Sequence, residues 1–224
     1  MNDDSIFREV DEAVRSDQFK ALWDKYGVWV LLAAFALVAG VAGVNGWTYW
    51  QERQAADAGG RFAAALQLEE EGKSGEMSEA LRSVAEEGPW GYRILARFQL
   101  AAAAAKSGDK AGSVKAYDAL AEEISGQELL QGYAVVQAAN LRLDEANYEE
   151  ISKRLNDLAN GESPWRHSAR ELLGLSAYRN SNRQEAEDQF GRLLADQTAP
   201  INLRRRAEMM LALLVKADAP TNGQ

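Results

Sequence analysis

Between Lys25 and Glu52 the chain carries no charged residue. Inside that window Gly27 to Trp47 reads GVWVLLAAFALVAGVAGVNGW, with Asn45 its one plainly polar side chain. An α-helix rises about 1.5 Å per residue, so about 20 apolar residues cross a hydrocarbon core of about 30 Å. Aromatic residues stand at both ends, Trp23, Tyr26 and Trp29 before and Trp47, Tyr49 and Trp50 after. Their rings prefer the membrane–water interface, and a double girdle is not what a buried core helix needs. A cleaved signal peptide requires a basic head and an apolar stretch of about 7–15 residues. Here the head holds Asp3, Asp4, Glu9, Asp11, Glu12, Asp17 and Asp24 against Arg8, Arg15, Lys20 and Lys25. The segment therefore reads as an uncleaved, single-pass anchor.

The flanking bases suggest an orientation. Arg15, Lys20 and Lys25 precede the span closely, and Arg53 and Arg61 follow it. Acids count little in the positive-inside rule, so the N-terminus is expected inside. Small residues recur four apart along the span: Ala36 with Gly40, Ala39 with Gly43, Ala42 with Gly46. That spacing lets helix backbones approach, which makes Ala36, Gly40 and Gly43 a candidate packing face. Alanine and glycine are also simply common in such helices. Before the span, Ile6, Val10, Ala13 and Val14 fall on one helical face, giving a short amphipathic head.

The rest of the chain has the composition of a soluble protein, and whole-chain mean hydropathy is -0.38. The net charge of -9 argues against nucleic acid, which needs a concentrated basic face. With no cysteine, disulfides and thiolate metal sites are excluded. No segment after Ala55 alternates with the period of a strand. Helical stretches are expected at 55–71, 76–87, 90–106, 109–123, 127–145, 147–159, 165–180, 183–195 and 200–216. Gly88-Pro89, Ser163-Pro164 and Ala199-Pro200 each open one, with Ser163 as an expected N-cap.

Aligning the short turns exposes a period. Ser107-Gly108-Asp109 precedes Ser113, Tyr117 and Leu120. Glu145-Ala146-Asn147 precedes Ile151, Leu155 and Leu158, and Asn180-Ser181-Asn182 precedes Ala186, Phe190 and Leu193. Each set is led by a helix with a small residue in equivalent register: Ala101, Ala139 and Gly174. Units of about 34 residues, each an antiparallel helix pair crossing at small residues, are the tetratricopeptide pattern. A non-repeating helical bundle is the alternative. The expected fold is all-α, one N-terminal transmembrane helix followed by a tetratricopeptide-like α-solenoid. Its expected parts are a head at 1–25, a membrane helix with aromatic flanks at 26–50, repeats at 51–217 and a tail at 218–224.

The whole layout resembles the ancillary subunit family of the SecYEG translocon. The sharpest likeness flanks the membrane: Leu22-Trp23-Asp24-Lys25-Tyr26-Gly27 before it and Gly46-Trp47-Thr48-Tyr49-Trp50 after it. The resemblance implies a bacterial inner-membrane protein with its N-terminus in the cytoplasm and its repeats in the periplasm. It further implies association with the translocon and with a membrane-anchored periplasmic chaperone, helping secreted proteins mature. A tethered adaptor for envelope assembly or division is the alternative task.

Nothing points to catalysis. The single histidine, His167, lacks clustered ligands, and there is no nucleophile elbow, phosphate-binding loop or zinc-protease motif. No cofactor is expected. Glu69-Glu70-Glu71 reads as a solvated helix end, and Arg204-Arg205-Arg206 as an exposed face with one intramolecular pair. The expected functional surface is a concave groove lined by the first helix of each pair. Its expected residues are Phe98 and Ala102, then Tyr133, Val136, Asn140 and Leu143, then Glu171, Leu175 and Tyr178. So apolar a surface suits a hydrophobic segment of a partner or of an unfolded chain. The closing helix at 200–216, or a second copy in a homodimer, would fill it equally well.

Overall fold

The computed structural model describes the backbone of residues 3–217 and the side-chain surroundings of residues 23–215. Those residues form helices and turns, without strands. The helices are α1 (Asp3–Glu70), α2 (Ser74–Glu87), α3 (Trp90–Lys106), α4 (Lys110–Glu123), α5 (Glu128–Arg142), α6 (Tyr148–Asn160), α7 (Arg166–Arg179), α8 (Arg183–Ala195) and α9 (Ile201–Ala217). The chain divides into two compact units, 1–56 and 57–224. The expected tail, 218–224, lies outside the described residues.

In the first unit the head and the apolar segment belong to one helix, which also continues into the first repeat helix. The head, the span and the first repeat helix, read from the sequence as separate segments, join without a break. No break forms because Asp3–Glu70 contains no proline. Its glycines each cost only about 1 kcal/mol relative to alanine and leave the hydrogen-bond ladder intact. The stretch is long and apolar enough to cross a membrane, and only 6% of its most apolar window is buried. Trp29 and Phe35 are more than two-thirds exposed, so this is no core helix. Trp47 and Trp50 lie with ring centroids 5.2 Å apart, and the Arg53 guanidinium sits 4.9 Å over the Tyr49 ring.

In the second unit the helices stack in antiparallel pairs. The turns before α4, α6 and α8 each end in a side-chain N-cap. The side chains of Asp109, Asn147 and Asn182 accept from the backbone N–H of Gly112, Glu150 and Glu185 at 2.8, 2.9 and 3.4 Å. A cap of this kind stabilises a helix by about 1 kcal/mol, so the turn residues set where α4, α6 and α8 begin. Gly108 takes φ +93° at the first of these turns, and Ser181 bears φ 58° at the third. Ser163 is not the cap of α7; its hydroxyl accepts from the N–H of Trp165 at 3.2 Å within the turn before the helix.

The small-residue crossings sit where the register places them. Ala101, Ser113, Ala139, Ile151, Gly174 and Ala186 are all buried. The Ser113 hydroxyl donates to the carbonyl of Ala101 at 2.7 Å across the first crossing. A Cβ on Gly174 would stand 2.8 Å from Phe190 Cζ, so only glycine lets that ring lie on the backbone of α7. Phe190, Leu155, Leu120 and Leu193 are fully buried at the centres of their pairs.

Candidate protein-binding surface

The nine groove positions do not form one open surface. Phe98 and Val136 are each 8% exposed and belong to the core. Tyr133 is half-buried in an aromatic chain, 5.2 Å from Phe98 and 5.6 Å from Trp165 by ring centroids. The cause is the packing of α3 and α5 against α4, whose Tyr117 joins Phe98 and Tyr133 in one cluster and makes this row an interior seam. Glu171 is taken by α9: Arg206 grips both of its oxygens, Nη2 to Oε2 at 2.9 Å. That pair ties α9 to α7 at the C-terminal end of the row. Ala102, Leu143 and Leu175 are half-buried, and Asn140 and Tyr178 are exposed. Ala102, Asn140 and Leu175 share one register position, and Leu143 and Tyr178 share another, so the accessible part is two short rows.

On the apolar helix, Gly40 and Gly43 have open space where a Cβ would go, and Ala36 is exposed. That small-residue face is bare within this chain.

A second regularity was not visible in the motif alignment. Arg61 pairs with Glu87, Arg97 with Glu123 and Arg170 with Asp196, each across 26 residues. In every case an arginine one turn before the small crossing residue of the first helix grips a carboxylate at the C-terminal end of the second. The register carries this position to Val135 in α5, whose counterpart in α6 is Gly161. With neither charge present, a cleft of about 580 Å³ opens there, lined by Val135, Gly161, Gln131, Glu128, Arg154 and Asp157. Accordingly α5 and α6 pack less closely than α3 with α4 or α7 with α8. Trp165 bridges one edge, its indole N–H donating to the Leu129 carbonyl at 2.8 Å. Arg154 is no free cation, since it holds Asp118 of α4 through two nitrogens.

Asp196 is the most heavily tied carboxylate. The Thr198 hydroxyl and then the His167 ring, with the Thr198 N–H, hold its carboxyl well below the usual range. His167 Nε2 lies 3.0 Å from Asp196 Oδ2, and Arg170 Nη1 lies 3.2 Å from the same oxygen. His167 is thus a buried structural contact at the end of α8. No cluster of metal-ligating side chains occurs among the described residues.

A family model described as a tetratricopeptide repeat-like domain matches residues 20–214. No curated protein and no solved structure gives a match to the chain.

Proposed function

Because the chain belongs to the tetratricopeptide repeat-like domain family, we propose that it is a membrane-tethered, non-enzymatic scaffold for protein–protein contacts. The observation that carries this reading is the union of two features in one chain. One is an exposed apolar helix bracketed by aromatic residues, and the other is a helical-repeat unit. Repeat units of this kind present extended faces rather than convergent catalytic groups. The acidic head and the length of the apolar run favour an uncleaved anchor over a signal peptide. The base distribution favours a cytoplasmic N-terminus with the repeats outside.

The finer reading is a bacterial inner-membrane protein attached to the SecYEG translocon, with a membrane-anchored periplasmic chaperone as second partner. Its support is the resemblance at Leu22–Gly27 and Gly46–Trp50 and the bare face at Ala36, Gly40 and Gly43. On the repeat unit, the rows through Ala102, Asn140, Leu143, Leu175 and Tyr178 are the accessible contact surface in this reading. A photo-crosslinking residue at Leu37, beside the small-residue face, tests it in living cells. Adducts with translocon subunits that disappear in Gly43→Leu are expected, because leucine preserves insertion and blocks close approach. Adducts with division or envelope-assembly proteins instead would move the scaffold to the alternative task. A reporter active only outside the cytoplasm, fused after Gln224, is expected to work; silence there reverses the topology.

A further inference from the structure

Three of the helix pairs close with a guanidinium at the C-terminal end of their second helix, from Arg61, Arg97 and Arg170. A cation is favoured there, because the last carbonyls of a helix carry partial negative charge. The α5–α6 pair is built without it: Val135 stands at the arginine position and Gly161 at the carboxylate position. The last turn of α6 contains no basic residue. Arg170 reaches α6 from α7, its Nε donating to the Ala159 carbonyl at 3.0 Å, but its charge is committed to Asp196. The cleft of about 580 Å³ at this end has apolar lining from Val135 and Leu158, both half-buried. Three carboxylates stand around it, Glu128 from α5, Asp157 from α6 and Glu162 from the following turn. None of these three side chains has an ion-pair or hydrogen-bond partner among the described residues. The one cation of the lining, Arg154, is spent on Asp118 and Glu150. Apolar walls and uncompensated negative charge thus meet at the place where the three closed pairs hold a guanidinium.

We propose that the α5–α6 cleft is the docking site for an arginine side chain of a partner protein, which supplies from outside the guanidinium that this pair lacks. The methylene stem of an arginine packs on apolar lining such as Val135 and Leu158 while its head keeps polar company. That head carries five N–H donors in a planar fork. Arginine suits the cleft better than lysine, because the carboxylates come from three separate segments, which a fork can bridge and a compact ammonium cannot. Pockets of about 300–1,000 Å³ hold small ligands, so there is room for the residues beside the arginine to enter with it. Charge selects the occupant: an acidic or wholly apolar segment would cover Asp157 and Glu162 without compensation. This inference rests on reading the repeat unit as a protein-binding scaffold, and it uses residues other than the Asn140 and Tyr178 rows.

The probe is a capped pentapeptide, alanine-leucine-arginine-leucine-alanine, titrated against the full chain in detergent with methyl-labelled valine and leucine. Saturable shifts of the Val135 and Leu158 methyl signals are expected. Asp157→Asn with Glu162→Gln should weaken binding at least about tenfold. Both side chains are exposed and unpaired, so the melting temperature of that variant should match the parent. Val135→Arg supplies the guanidinium within the chain and should abolish peptide binding; if that variant does not fold, the carboxylate variant decides alone. Tyr178→Asp should leave binding unchanged, which separates the cleft from the exposed rows. Absence of saturable shifts at the two methyls would overturn the proposal. So would equal binding of the same peptide with citrulline, the uncharged isostere, in place of arginine. Arginine amide or spermidine binding as tightly as the peptide would make this a site for a small amine and overturn it equally. A dimer of the full chain that the carboxylate variant dissociates, with the peptide failing to compete, would hand the cleft to a second copy. If the peptide does not bind while the Leu37 adducts persist, the cleft assignment falls and the scaffold reading stands.

Discussion

The α7–α8 and α5–α6 pairs share one register and close differently. In α7–α8 a glycine, a phenylalanine ring and an arginine–carboxylate tie bring the helices together along their whole length. In α5–α6 the same positions hold Ala139, Leu155 and the uncharged Val135 and Gly161, and Ile151 stands where α8 has Ala186. Bulk is moved from the ring to the branched Ile151, which keeps the crossing filled but holds the helices farther apart. The open end becomes the cleft, and Trp165 covers its edge from the following turn. A repeat can thus keep its hydrophobic crossing while losing its polar closure, and the cost appears as accessible space.

The contrast can be broken most directly at the ring. Phe190→Ala should cost about 3–5 kcal/mol, because it removes a fully buried ring and leaves a cavity over Gly174 that the rigid crossing cannot collapse. Leu155→Ala in the looser pair should cost less, since the cleft beside it allows relaxation. Chemical denaturation of the full chain in detergent measures both, and an equal or reversed order would show that α5–α6 is as tight as α7–α8.

A middle-sized effect is expected where Trp165 covers the cleft. A Cβ on Gly132 would stand 2.3 Å from Trp165 Cδ1. Gly132→Ala should therefore cost about 1–3 kcal/mol by overpacking. Combining it with Trp165→Ala should recover part of that loss in a double-mutant cycle. Strict additivity would mean that the indole does not bear on α5 in solution.

The smallest effect is silent at neutral pH and sharpens the comparison through titration. Burial, with the neighbouring Tyr133, pushes the Tyr117 hydroxyl up to about 12. Burial, with a hydrogen bond to Glu185, pushes Tyr148 up to about 12 as well. A raised pKa in an acid means the folded state keeps protons that the unfolded state releases. The stability these groups contribute is complete below the ordinary tyrosine value of about 10 and is lost as pH rises through about 12. Ultraviolet tyrosine titration should show two late phenolates, with unfolding setting in above pH 10. If all the phenolates appeared together near pH 10, both packing environments would be wrong.

Much of this architecture was legible in the chain because it depends on local chemistry. The Asp109, Asn147 and Asn182 caps and the prolines at 89, 164 and 200 mark helix starts to within a few residues. The spacing of Ala101, Ala139 and Gly174 marks the crossings. The uncharged run from Lys25 to Glu52 was legible as a membrane-length segment by its composition alone. The candidate surface was legible only in part. Asn140 and Tyr178 are exposed, whereas Phe98 and Val136 are interior. A single helix cannot show whether its apolar face is covered by the next pair, since solvent and a neighbouring helix accept the same periodicity.

What the amino-acid sequence by itself determined is therefore the set of elements: an apolar helix able to cross a membrane, and paired helices meeting at small residues. Hydropathy, capping and steric size act over a few residues, and they need no knowledge of the neighbours. Only the tertiary structure decided which arginines are spent on closing a pair and which remain free. Arg170 and Arg205 each stand on the second turn of a helix and are alike in sequence. One is tied to Asp196 and the other faces outward, because a carboxylate can neutralise a guanidinium only when the packing of another helix brings it within about 3 Å.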